Sequence, residues 1–447
     1  MWVMKSDGSD ARVLFNAEEN SAFVGAEWSP DGRRIAYNMT RGTPDNMEIF
    51  IQTRVLTGGP PITVVNGGTS DWSWSPDGRI IYGLFEGGFG KSCNLWATPV
   101  DLVSGKPKGR ATKLTNWAGF CLDDIGETSD GKGLVFRKYS TQGSVFVADI
   151  QNNGLSITTP RRLTLNEGRN YPGAWTADSK AVVYGSDVDG YWRIFKQSLD
   201  DETSQPITIK EQGEVFSARV TPDGAWILYI TAQKAAQQQS SVLQLMRAPI
   251  QGGPSELVLK GLLYGDPRCA QLPSTSCVVA ELSPDAKQLV FTEFDPARTR
   301  RSELSRFEIS AKASPDYQWD LSPDGERIAI LGYSDPEIHI VSRDGSPARH
   351  LSVRGRSTLQ SVNWTADGKG FLVSSASNHG SALLRVDLQG HSRVLWEQKG
   401  SIAPWNLPYA HRLGGPSAPW AVPSPDGRHL AIYKWEVSAN MWLIENF

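Results

Sequence analysis

The chain has 447 residues, of which 43 are Gly and 27 Pro, and 45 basic side chains nearly balance 48 acidic ones for a formal net charge of −3. That balance excludes a global field able to hold nucleic acid or an anionic membrane, and the 39% hydrophobic and 21% charged content excludes general disorder. No apolar run approaches the roughly 20 residues of a membrane helix, and the opening Met1-Trp2-Val3-Met4-Lys5-Ser6-Asp7-Gly8 lacks the basic and apolar regions of a signal peptide.

In chain order, residues 1–4 and 11–14 read as two short strands with none before them. The segment Trp28-Ser29-Pro30-Asp31-Gly32-Arg33-Arg34-Ile35-Ala36-Tyr37 then opens a repeat. Its turn returns as Ser75-Pro76-Asp77-Gly78, Thr221-Pro222-Asp223-Gly224, Ser322-Pro323-Asp324-Gly325 and Ser424-Pro425-Asp426-Gly427, with weaker copies at Asp130, Asp178, Asp285 and Asp367. The nine cores are spaced 46, 53, 48, 45, 62, 39, 43 and 59 residues apart. Pro presets φ for the second position of a type I turn and Gly tolerates a positive φ at the fourth, so each core predicts a hairpin. An apolar or aromatic residue follows the turn Asp at six residues (Tyr37, Phe136, Tyr184, Tyr229, Phe291, Ile330, Val373, Ile432), or at five for Tyr82, which sets the register of the second strand.

Beyond each hairpin lies a third β-type run, for example Asn94-Leu95-Trp96 or Ser144-Val145-Phe146-Val147, and often a fourth ending in Leu-Thr, as in Lys113-Leu114-Thr115. Four short strands per repeat is the plan of a propeller blade. The run Gln237-Gln238-Gln239 falls where a loop between strands is due. The fold class expected is therefore all-β, a propeller of four-stranded antiparallel blades.

Nine cores exceed the four to eight blades of most propellers. The last repeat offers residues 420–423, 429–433 and Met441-Trp442-Leu443-Ile444 and lacks a fourth strand. Residues 111–115 could supply it, closing a seven-bladed ring over residues 111–447. Residues 1–110 are then two and a half blades, the remnant of a preceding propeller. The rival is one large ring closed by residues 11–14.

The Trp-Ser-Pro-Asp-Gly-Arg-Arg-Ile-Ala-Tyr unit at 28–37 resembles the WD40-like repeat of the TolB-like propeller family, over essentially the whole chain. The second half, through Lys113-Leu114-Thr115-Asn116-Trp117, Pro160-Arg161-Arg162-Leu163-Thr164-Leu165 and Asn440-Met441-Trp442-Leu443-Ile444-Glu445-Asn446-Phe447, looks like the C-terminal propeller of bacterial Ser/Thr kinase or winged-helix regulatory proteins. That resemblance implies a sensing or partner-binding module, in an extracytoplasmic, periplasmic setting. The chain shows no kinase glycine-rich loop, His-Arg-Asp loop or winged helix.

Such propellers also accompany prolyl-oligopeptidase-type peptidases, yet no Gly-x-Ser-x-Gly elbow is present, and Gly253-Pro254-Ser255 and Gly415-Pro416-Ser417 lack its second Gly. The six histidines, His339, His350, His379, His391, His411 and His429, have no zinc-motif spacing. Asp187-Val188-Asp189-Gly190 reads as a hairpin turn rather than a calcium loop, because Tyr191-Trp192 follow in place of further oxygen ligands. Arg298-Thr299-Arg300-Arg301 reads as a solvated loop.

Cys269 and Cys277 flank a polar loop that a disulfide could staple in an oxidising compartment, whereas both are free thiols in a reducing one; Cys93 and Cys121 are expected to stay reduced. The binding candidates sit on loops leading into innermost strands at the tunnel mouth: Asp123 and Asp124, Arg169 and Tyr171, and Tyr409, His411 and Arg412 of an insertion before the last blade. Together they suit a peptide or polar small ligand. The expectation is a non-enzymatic propeller that binds a protein, peptide or small ligand, with no cofactor, no metal and no nucleic acid. The alternatives are a hydrolase or lyase with its site at the tunnel mouth, or an accessory propeller of a peptidase.

Overall fold

The computed structural model describes residues 1–18, 21–41, 48–86, 92–189, 191–207, 215–232, 243–297, 301–309, 317–332, 337–356, 358–377, 380–399, 420–445 and 447. Gln237–Gln239 therefore lie outside the described residues. The fold is all-β, dominated by four-stranded antiparallel sheets with sequential strand order.

The turn predicted from each core is built as a small hydrogen-bonded lock. Gly32 N–H donates to Ser29 O at 2.8 Å, closing the turn, and Gly32 adopts φ +68°. Ser29 Oγ accepts the Arg34 N–H at 2.9 Å and donates to Asp31 Oδ1, which also accepts the Arg33 N–H. The same hydroxyl acceptance five residues on holds in seven of the nine turns, with Ser or Thr serving equally. The turn aspartates thus serve their own backbone, as expected for short acceptor side chains. The register residues beyond the turns, Tyr37, Tyr82, Phe136, Tyr184, Tyr229, Phe291, Ile330, Val373 and Ile432, are all buried. Alternation along each second strand carries them into the layers between sheets.

The chain forms two compact units, Met1–Thr141 with Val437–Phe447, and Gln142–Glu436. In the first, the ribbon of Trp2–Val3 and Arg12–Val13 is followed by a sheet of Ser21–Trp28, Arg34–Arg41, Glu48–Val55 and Ile62–Asn66. Next comes the sheet of Thr69–Trp74, Arg79–Glu86, Ser92–Pro99 and Thr112–Lys113, and then Cys121–Glu127 paired with residues 134–139. Cys93 and Cys121 are joined in a disulfide between the second and third of these sheets, contrary to the expectation that they stay reduced; the core cluster that buries them both brings the two thiols together.

The second unit holds six sheets. Five are complete: Asn170–Trp175, Ala181–Ser186, Arg193–Ser198 and Gln205–Pro206; Val215–Val220, Trp226–Ala232, Leu243–Pro249 and Glu256–Gly261; Arg268–Cys269, Cys277–Leu282, Gln288–Phe294 and Arg301–Glu308; Tyr317–Leu321, Arg327–Gly332, Glu337–Ser342 and Arg349–Ser352; and Leu359–Trp364, Gly370–Ser377, Gly380–Asp387 and Ser392–Lys399. The sixth joins the two ends of the unit, with Ala421–Pro423 and residues 429–436 supplying the inner strands and residues 142–151 and Arg161–Arg162 the outer ones. Ile150 N–H donates to Arg428 O at 2.7 Å and Trp175 Nε1–H to Val422 O at 2.9 Å, closing the ring.

This closure corrects the sequence expectation. Thr112–Lys113 does not complete the last blade but pairs with residues 96–97 of the strand just before it, the shorter loop to close. The ring accordingly has six sheets, not seven, and begins near residue 142 rather than 111. The runs 429–433 and 441–444 are also not separate strands. His429–Glu445 is one strand of 17 residues, because Lys434-Trp435-Glu436-Val437-Ser438-Ala439-Asn440 contains no Gly or Pro to break it. Gly133–Gln151 is continuous over 19 residues even though Gly143 lies within it, and the division between the units falls inside both long strands.

Candidate functional site

In five of the six sheets of the second unit the innermost strand ends at a Ser/Thr-containing turn, and the residue two before that Ser or Thr lines one common cavity. Those residues are Ala174, Arg219, Asp320, Asn363 and Val422. The third sheet departs from this plan. Its turn at Ser283–Ala286 lies between the second and third strands, because a hairpin inserted ahead of it takes the innermost place. The equivalent residue, Glu281, is displaced outward, where it pairs with Arg301.

Cys269 and Cys277 face each other in the register of that hairpin and are disulfide-bonded, closing the loop 270–276. Gln271 N–H donates to Pro323 O at 2.8 Å, which docks the loop on the next turn, and Leu272 at its tip stays 62% exposed.

A cavity of about 290 Å³ opens at the turn end of the ring and is lined by residues from all six sheets. Its walls are apolar, with Trp175, Trp364, Pro222, Pro323 and Pro425 among them; its floor is charged. Arg219 Nη2 donates to Asp266 Oδ2 at 3.0 Å, and Arg268 Nη1 lies 3.4 Å from the same oxygen. Arg268 Nε lies 3.2 Å from Asp320 Oδ1 without hydrogen-bond alignment, while Asp320 Oδ2 accepts the Trp364 N–H at 2.8 Å. Burial, reinforced by the charge of Arg268, lowers the Arg219 pKa to about 10. Burial also raises the Asp320 pKa, against the pull of Arg268 and the Trp364 N–H. Such a constellation offers guanidinium donors and carboxylate acceptors to polar or charged groups.

The residues expected at the site lie elsewhere. In the first unit Asp123 accepts Arg137 Nε and Nη2, both at 2.7 Å, and Asp124 shares the same guanidinium at 3.2 Å. In the second, Arg169 donates through its N–H and Nε to buried Asp187, both at 2.7 Å, and lies over Trp192. Asp187 is thereby engaged by a side chain of its own sheet. Tyr171 stacks on Tyr433 at 4.8 Å, and burial raises its pKa. Arg169 and Tyr171 come together around Trp192, but at the opposite end of the strand from Trp175, about 13 Å away at the usual rise. Tyr409, His411 and Arg412 lie outside the described residues, as do His379 and Arg298–Arg300. Of the other histidines, His339 packs on Phe307 and His350, His391 meets Asp387, and His429 meets Asp149. Among the described residues no three His, Cys, Asp or Glu converge as a metal-binding group.

Sequence reasoning missed Arg219, Asp266, Arg268 and Asp320. The signal was present: the position two before each turn Ser or Thr carries Arg219, Asp320 and Asn363, and the spacing of 62 residues, the longest of the set, marks the inserted hairpin.

No family model matches the chain. It is 25% identical over 226 residues to an uncharacterized protein of Agrobacterium fabrum, covering 49% of this chain and 69% of that one. It is 24% identical over 163 residues to the Tol-Pal system protein TolB of Francisella tularensis, covering 35% of this chain and 34% of TolB. The chain is related at low identity to TolB-like β-propeller proteins. It also matches tricorn protease homolog 1 of Streptomyces coelicolor at 36% over 130 residues, only 11% of that protein. Among solved structures, TolB of Acinetobacter baumannii superposes with a TM-score of 0.44 at 13% identity, over 83% of this chain and 82% of that one. The chain thus spans about a third of the Francisella TolB it matches and about a ninth of the tricorn homolog.

Proposed function

We propose that the chain is a non-enzymatic binding propeller, a scaffold or sensor that holds a protein or peptide partner at the turn-side mouth of the second unit. The observation that carries this reading is the cavity itself. Six sheets converge on it, its floor is polar, and a disulfide-closed loop presents exposed Leu272 at its rim. Surface loops held by a rigid frame are where recognition is built, and an exposed apolar residue beside a polar floor suits a peptide segment better than a solvated surface does.

Two disulfides and the relationship to TolB-like proteins support an oxidising, extracytoplasmic bacterial setting. The test is to pan a displayed peptide library on the full chain and on Leu272→Asp, alongside turnover assays with ester, peptide and uronate substrates. Enrichment of a peptide class by the wild type that the variant loses is the expected result. Turnover abolished by Asp320→Asn would overturn it in favour of a hydrolase or lyase.

A further inference from the structure

The charged floor of the cavity leaves guanidinium donors unmatched although Asp266 and Asp320 balance its charge. Arg219 and Arg268 together carry roughly ten N–H donors. Among the described residues they make three hydrogen bonds, one from Arg219 to Asp266 and two from Arg268 to the Asp266 and Pro267 carbonyls. The buried atoms of this cluster without a hydrogen-bond partner, Arg219 Nε and Arg268 Nε, are both donors. Neither guanidinium is held in the bidentate geometry that a carboxylate allows, since Asp266 Oδ2 is divided between them. Burial and the adjacent Arg268 charge lower the affinity of Arg219 for its proton, against the pull of Asp266 and Asp320.

The apolar walls set what the anion is attached to. Trp175 and Trp364, both buried, and the turn prolines close in around the floor, and Leu272 projects at the rim. At about 290 Å³ the cavity sits at the lower edge of small-ligand sites, room for a terminal residue and not for an extended chain.

We infer that this mouth binds the C-terminal carboxylate of a peptide, with Arg219 and Arg268 receiving the carboxylate and the Trp, Pro and Leu272 surfaces receiving an apolar last side chain. The inference rests on the binding function proposed above and names its ligand class. Internal peptide segments, which lack the carboxylate, are disfavoured because they leave the donors unmatched.

The test is calorimetric titration of the full chain at pH 7 with N-acetyl-Ala-Leu, its C-terminal amide and hexanoate. The free acid is expected to bind at least tenfold more tightly than the amide, and more tightly than hexanoate. Arg268→Gln is expected to weaken the acid at least tenfold while leaving the amide unchanged, and Arg268→Lys to keep part of the affinity. Leu272→Ser, an exposed site that leaves the fold intact, is expected to weaken the dipeptide and not hexanoate. Equal binding of acid and amide, or full acid affinity in a folded Arg268→Gln, overturns the carboxylate role. Hexanoate binding as tightly as the dipeptide acid overturns the peptide-end assignment. If none of the probes binds while library panning still enriches internal peptides, the carboxylate inference fails and the binding function stands. If panning fails too, both fall.

Discussion

His429 Nδ1 and Asp149 Oδ1 lie 2.8 Å apart although 280 residues separate them in the chain. They sit on the two strands that meet in the sixth sheet of the second unit, and the His429 ring stacks on Trp175 of the first sheet, 5.9 Å between centroids. One contact thus ties both ends of the unit to its first complete sheet, in the manner of a ring closed by strands from its two termini.

Closure predicts which truncations are tolerated. Removing residues 420–447 takes both inner strands of the sixth sheet and is expected to abolish cooperative unfolding of the second unit. Ending the chain at Glu436 leaves that sheet complete, and amide exchange in residues 170–399 should stay slow. Trp175→Phe, which loses the bond to Val422 O and part of the buried ring that stacks on His429, is expected to cost at least about 1 kcal/mol. For a unit of this size that lowers Tm by at least about 2 °C in calorimetry.

The turn locks should respond to chemistry more than to size. Ser322 is buried, accepts the Arg327 N–H at 2.9 Å and donates to Asp324. Ser322→Ala is expected to destabilise by about 1 kcal/mol in urea titration, since it leaves the half-buried Arg327 N–H unmatched. Ser322→Thr is expected to be nearly neutral, because Thr128, Thr176 and Thr221 do the same work in other sheets.

The two disulfides differ in access. Cys93, Cys121 and Cys277 are fully buried, whereas Cys269 is partly exposed, so mild reductant should open Cys269–Cys277 first. By the loop-entropy estimate Cys269→Ser with Cys277→Ser costs about 2.6 kcal/mol and the Cys93 and Cys121 pair about 3.6 kcal/mol. Only the first pair should weaken binding at the cavity, because it frees the loop that carries Leu272. Thiol labelling followed by mass spectrometry, with titration of the reduced protein, checks both points.

Acid sensitivity follows from the depressed carboxylates. Asp101 is lowered to about 2 by the Ser104 N–H and hydroxyl and by Lys108, and Asp31, Asp130 and Asp285 are lowered first by their turn hydroxyls. A folded pKa below the unfolded value stabilises above about pH 4, and that stability drains as the pH falls from there toward 2. Asp320 has the opposite sign: its raised pKa gives a contribution that is present below the unfolded value and lost as pH rises through the folded one. Urea midpoints between pH 6 and 2 should therefore fall less steeply for Asp101→Asn than for the wild type, and more steeply for Asp320→Asn.

The periodic turns, the register of the second strands and the all-β class were legible in the sequence because each is set within a dozen residues. Pro and Gly fix the turn dihedrals, a hydroxyl and an Asp satisfy its backbone, and alternation buries Tyr229 or Phe291 without reference to anything distant. The stapled loop was legible for the same reason, since Cys269 and Cys277 are eight residues apart. Cys93 and Cys121 were not, because their meeting depends on how two sheets pack.

Only the tertiary structure decided how the ring closes and where its charged floor lies. Backbone hydrogen bonds are the same for any strand, so nothing in Thr112–Lys113 or Arg161–Arg162 states which edge it will join; that choice rests on which loop closes and which side chains fill the layer between sheets. Arg219, Asp266, Arg268 and Asp320 are spread over about a hundred residues, and only Arg219 and Asp320 share a place, two before a turn Ser or Thr. They become a site because six inner strands end at one mouth, where burial makes each charge depend on the others.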